Sequence, residues 1–384
     1  MRERMLVGAP QLGEAAVEAA AAVIRSGWLG AGPKVVEFEE RFAAHVGARH
    51  AVAVSSGTAA LFLSLVALGV GRGNEVITTP LTAAATANAI EQTGAVPVFA
   101  DVDPRTLTLD PGAVAGAVTA RTKAIVAVHV GGQPCAMAEL HAIARRHDLV
   151  VVEDAADALG ASYRGRPIGG LGGTAAFSFG DEAAIVTGGG GMVTTDDATL
   201  AAELRLLRAH GTATSTWQRL HGDAGTSAEV QGPGYRAELS DVAAALALAQ
   251  LPAQPAGLRA RAEIAARYDE ALAPLRVARP APAAGGDVHA HGRYLALLEP
   301  GGWRIDRTRV VDALRKEHIG AGVYRALHTH SFYRSRVRAE TAACVHAEDV
   351  GGRLFTLPLA AGMTEADVDD VIAALEKLAA VYAS

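Results

Sequence analysis

"HAVAVSSGTAALFLSLVALGV", His50 to Val70, is the stretch on which the fold turns. It opens as a short apolar β-type run, breaks at Ser55-Ser56-Gly57, and continues as an Ala- and Leu-rich run that reads as a helix opening at Thr58. A strand that is apolar on both faces must be covered on both, and the helix that follows it is the natural cover. Downstream the pattern repeats: "EVITTP" before "AAATANAIEQTG", then "VPVFADV", "AIVAVHV" before "MAELHAIARRHD", "LVVVEDA", "GTAAFSFG" and "GMVTTDD". Seven β-type runs alternating with helical ones predict an α/β domain built on a mostly parallel sheet.

Beyond residue 197 the pattern changes. Residues 198–220 read as helix, His221 to Gly234 as a polar, Gly-rich loop, and the chain from Ser240 through "AAALALAQL" into "RARAEIAARYDEALAP" as one long helix. The Pro/Ala/Gly run "ARPAPAAGGD" marks a junction, and the tail from about 288 reads strand, helix, strand, helix. The expected division is therefore a large α/β domain with its N-terminal segment over 1–250, and a connecting helix plus a smaller α+β domain over 251–384.

The chain has 384 residues, 50% hydrophobic and 20% charged, with a formal charge of −6, so it can bury a core without staples and carries no basic stripe for a nucleic acid. Its two cysteines, Cys135 and Cys344, suit neither a disulfide framework nor a zinc site. No apolar run is long enough for a membrane helix and no leader pattern opens the chain, which points to a cytoplasmic protein without nucleic-acid or membrane partners.

Three places invite chemistry. At Ser56-Gly57-Thr58, helix-terminal N–H groups and a side chain-free residue make a ready anion site, or else a plain tight turn capped by Thr58. Asp154 stands just past a strand, where open α/β sheets bind ligands; it either pairs with a protonated ring nitrogen or caps a helix. His129 ends another strand, as a ring neighbour and proton carrier or as a satisfied core residue.

The order of "WLGAGP" from Trp28, "FEERFAAHVGARHAVAVSSGTAAL", "EVITTPLTAAATANAI", "PVFADVDPRTLTLD", "KAIVAVHVGGQPC", "VVEDAADALGA", "FSFGDEAAIVTGGGGMVTTDD" and "PGYRAELSDVAAALALAQL" resembles the DegT/StrS family of sugar aminotransferases, and the likeness runs on to "LFTLPLAAGMTEADVDDVIAAL". The resemblance implies a fold-type-I aminotransferase-like architecture using pyridoxal phosphate (PLP), and a homodimer with active sites at the subunit interface. It assigns Gly57, Thr58 and Ser178 to the phosphate, Asp154 to the pyridinium nitrogen and His129 to the ring.

Four positions depart from the family pattern. The lysine that links PLP falls on Ala183, which cannot form a Schiff base or shuttle a proton. The aromatic over the ring falls on Ala83, the Gln or His beside the cofactor's phenolic oxygen on Asp157, and the Asn that reaches the partner's phosphate on Glu238. With Asp181 and Glu182, these acids predict an anionic pocket in which crowding pushes a carboxyl pKa upward and sets a general acid beside a base. In "GVYRALHTHSFYR", Arg325, His328 and Tyr333, with Trp28, are the expected substrate contacts, against a reading as solvated surface.

The leading expectation is thus a PLP-independent lyase, cyclase or isomerase acting on an amine- or sugar-type intermediate of secondary metabolism. It would have no covalent cofactor and no metal. The alternatives are an enzyme that holds PLP or its amine form PMP non-covalently, as a lysine-less sugar-modifying enzyme, and an inactive partner subunit of an aminotransferase.

Overall fold

The computed structural model describes residues 12–213, 216–221, 229–281, 285–335 and 344–384. Along the large domain it runs α1 (Glu14–Ser26), α2 (Pro33–Val46), β1 (His50–Val54), α3 (Gly57–Ala67), β2 (Glu75–Thr78), α4 (Ala84–Gln92), β3 (Val96–Phe99), α5 (Pro111–Ala117), β4 (Thr122–Val128), α6 (Met137–His147) and β5 (Val150–Asp154). A small hairpin, β6 (Ser162–Tyr163) and β7 (Arg166–Pro167), leads to β8 (Thr174–Ser178), β9 (Gly191–Thr195), α7 (Ala198–Arg208) and α8 (Thr216–His221). The remainder comprises α9 (Asp241–Gln250), α10 (Gln254–Leu272), β10 (Val277–Ala278), β11 (Tyr294–Leu298), α11 (Arg307–Lys316), β12 (Gly322–Val323), α12 (Ser331–Arg334), α13 (Val345–Arg353), β13 (Leu354–Leu357) and α14 (Glu365–Tyr382).

The seven apolar runs become one seven-stranded sheet in the order β1-β9-β8-β5-β4-β2-β3. All neighbours pair in parallel except those of β9, which runs antiparallel to both β1 and β8. Helices pack on both faces, which explains strands with little polar alternation. The second sheet, β10-β11-β13-β12, is wholly antiparallel and encloses its own core with α10, α11 and α14.

Two details differ from the sequence reading. The cap of α3 is Ser56, whose Oγ accepts the Ala59 N–H at 3.0 Å, so the helix opens at Gly57 rather than Thr58. The long helix is broken: α9 ends at Gln250, a single tight turn covers Leu251–Ala253, and α10 restarts at Gln254. Pro252 and Pro255 supply no N–H, so the run of helical backbone hydrogen bonds is interrupted there.

Candidate functional site

The parallel sheet delivers three chain ends to one edge. β1 feeds the Ser55-Ser56 turn into α3, β5 ends on Asp154, and β8 ends on Ser178. Gly57 lies so close to β8 that a Cβ there would stand 2.6 Å from the Ser178 Cβ and 2.9 Å from its Oγ. The backbone N–H groups of Gly57 and Thr58 head the helix without a hydrogen bond among the described residues, beside the Ser178 hydroxyl. The arrangement has the form of an anion cradle, and any side chain at position 57 would fill it.

Asp154 is buried. Its Oδ2 accepts the Thr86 hydroxyl at 2.7 Å, Thr86 in turn shares a 2.7 Å hydrogen bond with Thr82, and Oδ1 accepts the Ala156 N–H at 3.2 Å. Burial pushes the Asp154 carboxyl up from its usual range, while the bonds from Thr86 and Ala156 pull it down. A cationic ring nitrogen delivered to this carboxylate would replace the lost solvation.

His129 does not join it. Register pairs Val128 with Asp154 and Ala127 with Glu153, so side-chain alternation puts His129 on the Glu153 face, opposite the cradle. Its ring is buried, Nδ1 accepts the Cys135 N–H at 3.1 Å, and Nε2, which therefore carries the proton, lies 3.1 Å from Glu153 Oε2. The expectation of a ring neighbour or proton carrier is corrected: both nitrogens are committed to structure.

Asp157 and Glu182 have a partner that the sequence reading missed. Arg293, at the mouth of β11, places Nε 3.0 and 3.2 Å from the two Asp157 oxygens and also pairs with Glu182 through Nη1. Its backbone N–H donates to the Gly131 carbonyl, which pins the start of β11 against the large domain. Tyr324 lies beside the same group, and burial together with the charges of Asp157, Asp154 and Glu182 raises its phenol, so it stays protonated. The expected anionic crowd is thus partly neutralised.

Residues 10–376 match the model of the DegT/DnrJ/EryC1/StrS aminotransferase family. The chain belongs to that family. It is 42% identical over 371 residues to the spore coat polysaccharide biosynthesis protein SpsC of Bacillus subtilis, covering 96% of this chain and 95% of that one. Among solved structures it is similar to S. venezuelae DesV, with 31% identity and a TM-score of 0.88, covering 98% and 99% of the two chains. The PMP form of Spr1654 of Streptococcus pneumoniae gives 27% identity, a TM-score of 0.90 and 99% of each chain. That protein is also solved in a PLP form.

Against the DegT/DnrJ/EryC1/StrS coenzyme, the residues present fit at two ends and fail at a third. The cradle of Gly57, Thr58 and Ser178 suits a phosphate, and buried Asp154 suits a pyridinium nitrogen. Ala183, half-buried in the loop after β8, offers no amine. Ala83 is exposed ahead of α4 and offers no ring to stack on a coenzyme. Asp181 is exposed on the same loop.

The remaining assignments lie apart from this group. Glu238 pairs its backbone with Val54 and lines a different cavity, of about 360 Å³, with Glu39, Arg205, Arg208 and Trp217. Trp28 packs edge-on against Trp217 at 5.0 Å. Within the expected substrate segment, Tyr333 is buried edge-on against Phe99 with its hydroxyl on Asn88, and His328 is buried with Nε2 2.9 Å from Glu348, so neither faces a ligand in this chain. Arg325 is exposed and folds back on Thr329. Among the described residues no group of three or more His, Cys, Asp or Glu is arranged to hold a metal, and no helix is long and apolar enough to cross a membrane.

Proposed function

We propose that this protein is a sugar-modifying enzyme that takes PMP or PLP as a dissociable, non-covalent coenzyme. The observation that carries this reading is the meeting of the α3 N-terminus at Gly57 and Thr58 with Ser178 and, on the same sheet edge, buried Asp154, in a chain where the family pattern puts Ala183 at the anchoring position. When bound, the coenzyme supplies an electron sink and, as PMP, an amine already in place, so the amine form needs no lysine anchor. Coenzyme-free acid/base chemistry is less well supported, because it needs free carboxylates and Arg293 engages Asp157 and Glu182.

Each residue then has a task. Gly57 and Thr58 N–H and the Ser178 hydroxyl hold the phosphate, and Asp154 keeps the ring nitrogen protonated. Arg293 offsets the two acids that would otherwise repel an anionic ligand. Tyr324 remains a neutral donor beside them. Glu182 neighbours Ala183 in sequence and stays paired with Arg293. A homodimer, in the cytoplasm, belongs to the same proposal, with secondary metabolism as its setting.

The test is equilibrium binding of PMP and of PLP to dialysed protein, followed by absorbance, with intact mass after borohydride treatment. Saturable binding with no mass increase, lost in Asp154→Asn, is expected. Failure of both coenzymes to bind at millimolar concentration would remove the proposal.

A further inference from the structure

Asp154 ends β5 as a buried carboxylate with no lysine or arginine paired to it among the described residues. What meets it instead is a row of hydroxyls. Thr86 Oγ1 donates to Asp154 Oδ2 at 2.7 Å, and the Thr82 and Thr86 hydroxyl oxygens lie 2.7 Å apart. A threonine hydroxyl has one proton to give. Thr86 gives its own to the carboxylate, so the proton between the two threonines comes from Thr82, and the donors run in one direction, Thr82 to Thr86 to Asp154. Both threonines are buried, so water does not compete for these bonds.

The arrangement follows from the start of α4. The helix opens at Ala84, and Ala83 before it supplies no side-chain cap. The turn into the helix brings together two hydroxyls four residues apart in sequence. Thr86 is the third residue of α4, so Asp154 is tied to the turn where unpaired N–H groups give a helix its positive end. Desolvation acts against the carboxylate, and so does the charge of Asp157, which Arg293 holds. Thr86, the Ala156 N–H and, from β4, His129 act in its favour. A one-way chain of donors strengthens bond by bond as it polarises toward an anion, and it loses that benefit once the acceptor is protonated.

We propose that Thr86, backed by Thr82, is a positioning residue that holds Asp154 as an oriented carboxylate for the ring nitrogen of the coenzyme, using hydrogen bonds in place of a counter-charge. The consequence for the coenzyme rests on the function proposed above, whereas the effect on Asp154 belongs to this chain alone. With alanine at position 183 no covalent link masks a weakened contact at the ring nitrogen, so a fault at Thr86 shows directly in coenzyme affinity.

Two measurements on the full chain test this. In the first, coenzyme-free protein carrying isotope-labelled aspartate carboxyls is titrated by NMR, with the Asp154 signal identified by its loss in Asp154→Asn. Thr86→Val, which keeps the shape and removes the donor, should raise the proton affinity of Asp154 about tenfold. Thr86→Ser should return it close to the unmodified value, and Thr82→Val should shift it in the same direction by less. An unchanged titration in Thr86→Val overturns the proposal, as does a shift that Thr86→Ser fails to reverse. In the second, PMP binding is followed by absorbance, and Thr86→Val should weaken it about tenfold with recovery in Thr86→Ser. Full PMP affinity in Thr86→Val overturns the positioning role. If the unmodified protein binds no PMP, the coenzyme reading falls by itself, and the carboxyl titration still decides whether the threonines govern Asp154.

Discussion

Arg293 is the residue through which the site reading is most exposed to test. Its Nε sits 3.0 and 3.2 Å from the Asp157 oxygens, with side-chain exposures of 25% and 17%. Exposed ion pairs contribute roughly 0.2–1 kcal/mol, and breaking a fully buried one costs about 3–5 kcal/mol. This pair lies between those limits, and about 2 kcal/mol is the expected coupling. Glu182, 46% exposed, adds less than about 1 kcal/mol. The assay is a double-mutant cycle of Arg293→Met and Asp157→Asn in urea, with PMP affinity measured on all four proteins. Arg293→Met should destabilise the fold by about 2–3 kcal/mol and weaken PMP at least tenfold, because the Asp157 carboxylate, whose charge reaches Asp154, is then uncompensated. Adding Asp157→Asn should recover most of both losses. If the two substitutions are additive within about 0.5 kcal/mol and PMP affinity is indifferent to Arg293, the neutralised-pocket argument is wrong.

Two further predictions concern the loop and the response to pH. Ala183→Lys returns an amine to the loop; with PLP it should give a borohydride-reducible adduct, seen as an intact-mass increase absent from the unmodified protein, and no adduct would mean the loop does not face the cradle. His291 is held down to about 4 by burial, reinforced by Arg279 and Arg261, and His289 is depressed in the same sense. A folded-state pKa below the unfolded one contributes stability that is complete above about pH 6.5 and is lost as pH falls toward 4, amounting for His291 to about 2 kcal/mol by pH 5. Urea melts at pH 7.5 and pH 5 should therefore show a smaller acid loss in His291→Gln than in the unmodified chain; equal losses would contradict the assignment.

Much of the architecture was legible because its signals are local. Apolar runs such as "AVAV" and "VVVE" are strands by length and composition, and Asp154 and Ser178 end strands because the runs stop there. What failed needs information that a single run does not contain. The face on which His129 points depends on register with β5, which its own neighbours do not encode. Arg293 reaches Asp157 across 136 residues, and its sequence cue was no more than a lone charge ahead of an apolar strand. Tyr333 and His328 looked like a polar loop, but Phe99 and Glu348 bury or pair them from elsewhere in the chain. The break at Pro252 was a local signal that went unread under the pull of a helical composition on both sides.

The loop after β8 is riveted from behind. Gln250 Oε1 accepts the Val186 N–H at 3.0 Å, Gln250 Nε2 donates to the Val186 carbonyl at 2.8 Å, and Gln254 grips Ala184. None of these bonds involves the side chain at position 183. The loop's shape is thus inherited independently of the residue it displays, so selection is free to exchange the reactive group there without having to re-solve the fold around it.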